Sequence, residues 1–397
     1  MNILRFYLLN ISVVLLEASF LATGLLHEKD NCPSSNQIDS AQVDRDSDLV
    51  TKNEPSSIEA DHSNSKPKII LFWNTFHNQT DMMFGFGQQP FIDAGCQITN
   101  CLTTDDRSLF SQSDGVVIHA GDYEERDLPT DRSPDQTFIF LNQDPLANES
   151  RLPCFSHPHF YNWTMTHRRD SDVYFGTPYA AIRRRENTEI SNLISSRQHC
   201  FQLANRKKLI VWFNSRCSTQ SQREHYVKQL AEFIPVDIYG KCGALECLPR
   251  NDPHCETRLL AHYKFYLAAE DSLCPDYITE HFYHALMNNI VPVVYGGADY
   301  TQFAPLNSYI NVADFKSAKD LAEYLMLLHN NDALYRKHFD WKQDYELIRK
   351  PSNGWCNLCQ KLNDPARVRK SYQDLFQWWN EQVPCWPGSS YLATIQS

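Results

Sequence analysis

The residues of this chain best suited to chemistry are carboxylates and cations set beside short apolar runs. Glu270, Asp271 and Ser272 follow the aromatic run Tyr263–Ala269. Glu280 and His281 come ten residues later, inside an apolar-faced segment. Arg223 falls in the first turn of a predicted helix over 221–233, with Tyr226, Val227, Leu230 and Phe233 on its apolar side. A guanidinium beside helix amino-terminal amides makes a diphosphate clamp, and the same residue also fits a solvated helix surface. In the first half, Asp144 closes Asn142-Gln143-Asp144-Pro145, and Glu149-Ser150 lies five residues further on. A carboxylate at the rigid end of a strand can take a proton from an attacking hydroxyl, or can cap a helix. His119, Gly121 and Asp122 end another apolar run, as structural hydrogen-bonding groups or as ligand contacts. The chain has no Asp-x-Asp at a strand end, so its chemistry does not require a protein-held metal.

Such groups need a frame. Tyr263–Ala269 has the length of a buried strand, and Ile290–Tyr295 is a second. Between them Asp276 is placed to cap a helix that Asn288-Asn289 ends. Strand, helix and strand with short joints form a βαβ unit of a parallel sheet, whose ligands sit at the carboxyl strand ends. Glu270 and the Gly296-Gly297 turn lie at such ends. Further strands are expected at 68–73, 116–118, 138–141, 208–213 and 236–240, with a polar helical crossing at 181–200. Ser317 caps a helix at 318–328. The pattern predicts an α/β protein built on parallel sheets, with a boundary between its two halves near residue 200.

The 397 residues suffice for two cores, and a net charge of -11 argues against a nucleic-acid partner. Thirteen cysteines suit an oxidising lumen. Cys242, Cys247 and Cys255 lack a fourth zinc ligand and read as disulfide-forming. The lone CxxC of Cys356 and Cys359 has no thioredoxin-like setting and reads as structural disulfide chemistry. Residues 6–26 have the length of one membrane-spanning helix, interrupted by Glu17; a cleaved signal peptide is the rival reading. Residues 27–67 are polar and aperiodic, a stem in which Cys32 could bridge a homodimer. Asn78, Asn148 and Asn162 are glycosylation sequons.

The ordered series YKFYLAAEDS, DYITEH and VPVVYGG resembles the signature of the α1,3-fucosyltransferase family. The likeness runs from about residue 68 to 385, and YNWTMTHRRDSDVYFGTPYA at 161–180 resembles a further family block. The resemblance implies an α/β protein of two Rossmann-like domains facing a cleft, a GT-B-type glycosyltransferase, inverting and GDP-fucose-dependent. It implies an acceptor-side domain at 68–200, a GDP-fucose-binding domain at 201–350 and a packed tail at 351–397. It implies a type II Golgi membrane protein with a 1–26 anchor. The acceptor would be a glycoprotein N-glycan. The cysteines after Asp237-Ile238-Tyr239-Gly240 and the late CxxC are similar to invertebrate enzymes that act on the innermost GlcNAc. A peripheral Lewis-type enzyme and a non-catalytic glycan-binding relative are the alternatives. The base would be Asp144 or, with the family's Glu-Ser dipeptide, Glu149. Arg223, Lys264, Glu270, Asp271, Tyr277, Glu280 and His281 would bind the donor. A loosely bound Mn²⁺ or Mg²⁺ could assist product release. Two departures weaken the likeness at the site: Asp271 stands for the usual Asn, and His281 for the usual Lys. His167 replaces a Tyr in the 161–180 block.

Overall fold

Short, wholly apolar runs bounded by polar turns can bury both faces, which suits parallel sheets covered by helices on each side. The computed structural model describes residues 66–145, 153–176, 180–185, 206–248, 254–349, 353–381 and 384–395. The apolar run at 6–26, the stem, Glu149 and its sequon, and the boundary near 200 lie outside these residues.

The first sheet contains β1 (Lys68–Phe72), β2 (Cys101–Thr104), β3 (Gly115–His119), β4 (Thr137–Asn142), β5 (Trp163–Thr166) and β6 (Val173–Tyr174), with the one-turn helix α1 (Gln89–Asp93) after β1. Its order is β2-β1-β3-β4-β5-β6, and every pairing is parallel. Next come β7 (Ala180–Arg184), β8 (Lys208–Phe213), α2 (Arg223–Leu230), β9 (Val236–Tyr239), α3 (Cys255–Leu260), β10 (Tyr263–Ala269), α4 (Glu280–Met287), β11 (Val291–Tyr295) and β12 (Ile310–Asn311). The second sheet has the order β12-β11-β10-β8-β9, again parallel throughout. The chain ends with α5 (Ala318–Asn330), α6 (Asp332–Arg336), β13 (Tyr345–Arg349), α7 (Asn353–Asn363) and α8 (Gly388–Thr394). These are two Rossmann-like halves. In each, the order reverses at one point: between β1 and β3, and between β8 and β10. A crevice opens at the carboxyl ends where strand order reverses.

Period-2 alternation from Phe265 to Ala269 divides β10 between two cores, and Tyr263 joins the second. Phe265, Leu267 and Ala269 pack with Tyr226 and Leu230 of α2 and Leu321 and Leu325 of α5. Tyr263, Tyr266 and Ala268 pack with Leu260 of α3 and Phe282 of α4. Each fully buried aliphatic or Phe side chain stabilises the fold by about 1.5–3 kcal/mol.

The tail joins the halves. Leu358 and Leu362 of α7 cover one face of the first sheet, and Leu375, Trp378 and Trp379 cover the other. Disulfides Cys96–Cys356 and Cys101–Cys359 fix α7 to β2 and the loop before it. The two cysteines of the CxxC therefore reach separate partners. Tyr391 and Leu392 of α8 enter the second sheet's core, and Cys274–Cys385 fixes that end. Cys217–Cys242 and Cys247–Cys255 complete the disulfides among the described residues.

The Arg168-Arg169-Asp170 turn is a strut. Arg168 is buried, pairs with Asp170 at 2.6 Å and donates to the carbonyls of Trp378 and Trp379 at 2.8 Å each. Arg169 donates to the Gln302 carbonyl at 2.7 Å, and its backbone N–H donates to Asp276 Oδ2 at 3.0 Å. Asp276 thus serves this crossing, and it does not cap a helix. Its φ of 60° takes it out of helical geometry, and α4 starts after Thr279. Residues 180–184 differ from expectation too. They form β7, antiparallel to β13, because the apolar faces of Ile182 and Leu347 pack against the second half's core.

The expected Gly296-Gly297 turn has another reason. A Cβ at Gly296 would lie 2.3 Å from Tyr300 Oη, and one at Gly297 would lie 2.4 Å from the Leu273 carbonyl carbon. Close backbone approach, not positive φ, requires glycine there.

Candidate active site

A cleft of about 440 Å³ lies where the carboxyl strand ends of the two halves meet. The second half supplies most of its wall. The loop after β8 contributes Asn214, Ser215 and Arg216, α2 contributes Arg223, and the loop after β9 contributes Gly240. The segment after β10 contributes Glu270, Asp271 and Tyr277, and the start of α4 contributes Thr279, Glu280 and His281. From the first half come His77, Gln143, Asp144 and His167.

The second-half groups are fixed by buried hydrogen bonds. Arg223 donates to the Ala269 carbonyl and, at 3.0 Å, to Asn214 Oδ1, with its guanidinium 5.6 Å from the Trp212 ring. Glu270 Oε1 accepts the Thr279 N–H at 2.9 Å. Burial pushes the Glu270 carboxyl up to about 8, against the lowering effect of the Thr279 backbone N–H, so near neutral pH it is a carboxylic acid. Four buried polar atoms on this wall have no partner among the described residues: Glu270 Oε2, Arg223 Nε, Asn214 Nδ2 and Thr279 Oγ1. An orphaned buried donor or acceptor is costly, and several converging on one cleft fit a polar ligand.

His281 is held differently from a lysine. Its Nδ1 lies 2.8 Å from Tyr266 Oη. Burial lowers its pKa, although Glu280 opposes this, so it is neutral near pH 7. Asp271 accepts from Arg216 at 2.7 Å and from Tyr277 Oη at 3.3 Å.

Lys264 is not brought into the cleft. It lies near the amino end of β10, six residues and about 20 Å of strand from Glu270. Its ammonium donates to the His329 carbonyl at 2.7 Å and to Asp332 at 2.5 Å. Arg223, Glu270, Asp271, Tyr277, Glu280 and His281 do line the cleft, as does Asp144.

Two of the first-half groups, His77 and Asp144, are open, and a third, His167, is buried. Asp144 has a side chain 59% exposed and stands 3.9 Å from His77 Nε2. Partial desolvation in the cleft raises its pKa, the His77 ring opposes this, and Asp271 and Glu280 add to it. Solvent contact limits that push. His167 is buried between the rings of Tyr277 and Trp379, at 5.4 and 5.6 Å, and burial pushes its pKa down to about 4. His119 does not line the cleft. It is enclosed between Phe76 and His77, and burial lowers it to about 4. Among the described residues, no three His, Cys, Asp or Glu side chains form a metal-binding group, and no helix is long and apolar enough to cross a membrane.

Sequence reasoning missed Arg216, His77 and Asn214. Asn214 alone carried a signal, as the polar residue closing the β8 run.

The chain is similar to known proteins over most of its length. Residues 203–378 match the profile described as Glycosyltransferase family 10 (fucosyltransferase) C-term, and residues 65–180 match Fucosyltransferase, N-terminal. The chain is 34% identical to Alpha-(1,3)-fucosyltransferase C of Drosophila melanogaster over 337 residues, covering 79% of this chain and 77% of that protein. It is 34% identical to Glycoprotein 3-alpha-L-fucosyltransferase A of the same organism, covering 83% of this chain and 64% of that one. A Bos taurus 3-galactosyl-N-acetylglucosaminide 4-alpha-L-fucosyltransferase is 32% identical, over 79% of this chain and 83% of its own. The fold is similar to a crystal structure of an α1,3-fucosyltransferase with GDP-fucose, at a TM-score of 0.51 and 15% identity, covering 80% of this chain and 96% of that chain.

Proposed function

The chain belongs to glycosyltransferase family 10, the fucosyltransferases, and from that premise we propose that it transfers L-fucose from GDP-β-L-fucose in α1,3 linkage to GlcNAc of a glycoprotein N-glycan. The observation that carries this is the polar wall at the second switch point, where buried unsatisfied donors and acceptors converge beside Arg223.

The diphosphate lies against Arg223 and the first turn of α2. The sugar lies toward Glu270 and Thr279. The acceptor enters across the first-half wall. Its hydroxyl oxygen attacks the anomeric carbon from the face opposite the diphosphate, and its proton passes to Asp144. The bond from that carbon to the diphosphate oxygen breaks, and its electron pair stays on GDP. Arg223 stabilises the charge developing there. Inversion converts the β donor into an α product.

Replacing Asp144 tests the base. D144N should keep donor affinity and lower kcat by about 100- to 10,000-fold. E149Q, which leaves the Asn148 sequon intact, should keep at least about a tenth of turnover if Asp144 is the base. Normal turnover in D144N with collapse in E149Q would transfer the role to Glu149.

The finer reading is the innermost GlcNAc. The glycoprotein-directed Drosophila relative supports it, and the galactosyl-GlcNAc-directed cattle relative favours a peripheral acceptor instead. Turnover on core N-glycan against N-acetyllactosamine acceptors decides between them. The run at 6–26 supports a Golgi membrane anchor, and its removal from mature cell-made protein would exclude that.

A further inference from the structure

We infer that Arg216 is a second phosphate-binding residue of the cleft and that Asp271 is the residue that positions it; this rests on the GDP-fucose reading above. The loop carrying Arg216 is held on both sides. Its backbone N–H donates to Asn214 Oδ1 at 3.1 Å, and the next residue, Cys217, is bridged to Cys242. The guanidinium Nη1 donates to Asp271 Oδ2 at 2.7 Å. The rest of that fork is open: the Arg216 side chain is 77% exposed, whereas that of Asp271 is 17% exposed. Asp271 is in turn fixed by Tyr277 Oη and by the Ser221 N–H on its backbone carbonyl, at 3.3 and 3.0 Å. A held carboxylate therefore fixes one end of the guanidinium at the cleft wall and leaves the rest of it open.

The charges of the cleft require such a cation. Asp144, Asp271 and Glu280 line it as carboxylates. Lys264 is committed to Asp332, and Arg223 has donors on Ala269 and Asn214. His281 stands where a lysine would supply charge, but its Nδ1 faces Tyr266, and burial keeps it neutral. Among the described side chains that line the cleft, a diphosphate would find one Lys or Arg besides Arg216, namely Arg223, to offset these carboxylates. Arg216 restores the second positive charge from the loop after β8 and not from the start of α4, where the family resemblance places a lysine. Asp271, a liability beside a nucleotide when taken alone, becomes the group that orients Arg216. The Arg216 end of this pair is open to solvent, which limits what the contact adds to folding.

Calorimetric titration of GDP and of guanosine into wild type, R216Q, D271N and R216Q/D271N tests this. R216Q should weaken GDP binding roughly 10- to 100-fold and leave guanosine unchanged, because only the phosphates meet the guanidinium. R216K should recover part of the loss. D271N should weaken GDP binding in wild type but strengthen it in the R216Q background, where the carboxylate only repels. That reversal of sign measures the coupling of the two side chains. An R216Q affinity for GDP within about twofold of wild type, or an equal loss for guanosine, would overturn the phosphate contact. D271N strengthening GDP binding in wild type would overturn the positioning role. Failure of wild type itself to bind GDP would defeat the donor reading and this inference together, whereas normal wild-type binding with an unaffected R216Q defeats this inference alone.

Discussion

The two halves meet the same cleft with unlike walls. On the second half, Asn214, Arg223 and Glu270 are buried to 6% exposure or less, and each is tied to backbone or to a neighbour. On the first half, His77 and Asp144 have side chains 50% and 59% exposed. A wall of buried, pre-aligned polar groups suits one constant ligand, since little reorganisation is needed when it binds. An open wall suits a large and varied one, most of which stays outside the cleft. Substitutions on the fixed wall should therefore act on donor binding, and those on the open wall on turnover.

The largest effect that would break this contrast is expected at Arg223. R223A removes the guanidinium that the Ala269 carbonyl and Asn214 hold in place. It should lower kcat/KM at least about 100-fold, as removal of a preorganised donor to developing negative charge does. R223K should recover little, because an ammonium lacks the planar fork. If R223K were near normal while GDP affinity in R223A fell less than about threefold, the fixed wall would not be the donor wall.

The next effect is on stability, and it sharpens the contrast by separating scaffold from site. Cys96–Cys356 joins the first sheet's edge to α7 across a separation of 260 residues, well away from the cleft lining. Replacing both cysteines by serine should cost about 2–4 kcal/mol, read as a lower melting temperature and denaturation midpoint. The folded fraction should keep its KM for donor and acceptor. A selective rise in donor KM would mean that the tail sets the geometry of the second-half wall.

The sequence was most legible where burial leaves no choice. Tyr263–Ala269 is a strand with the bounds its apolar run suggested, because seven consecutive buried residues fit the centre of a parallel sheet and little else. Glu270 and Asp271 were legible for the same reason, since they border that run, and Arg223 because it opens the apolar-faced helix α2. Arg216 was not, since a lone arginine before a cysteine has no periodicity, and its place depends on Cys242, distant in the sequence. Lys264 misled because a strand has two ends, and a family motif that spans it does not say which end a side chain serves. The partners of the CxxC were equally hidden. Nothing local to Cys356 and Cys359 points to Cys96 and Cys101, whose approach depends on the tail folding back over the first sheet.

The smallest effect, and the most diagnostic of the fixed wall, concerns protonation of Glu270. Burial raises its folded pKa from about 4.5 to about 8. Raised above the unfolded value, this group's stabilising contribution is fully present below about 4.5 and is lost as pH rises through about 8. As the neutral acid, Glu270 can donate from Oε2 to a sugar hydroxyl while Oε1 keeps the Thr279 N–H. Ionised, it would set a negative charge beside the diphosphate. Donor KM in wild type should therefore rise as pH increases through about 8. E270Q keeps the shape, the acceptor and a donor, and cannot ionise. It should retain turnover within about tenfold near pH 7, and its donor KM should stay flat where that of wild type rises. Its melting temperature should also fall less than that of wild type between pH 7 and 9. A wild-type donor KM independent of pH across that window, or an E270Q profile that rises with it, would show that Glu270 does not work as a neutral donor on this wall.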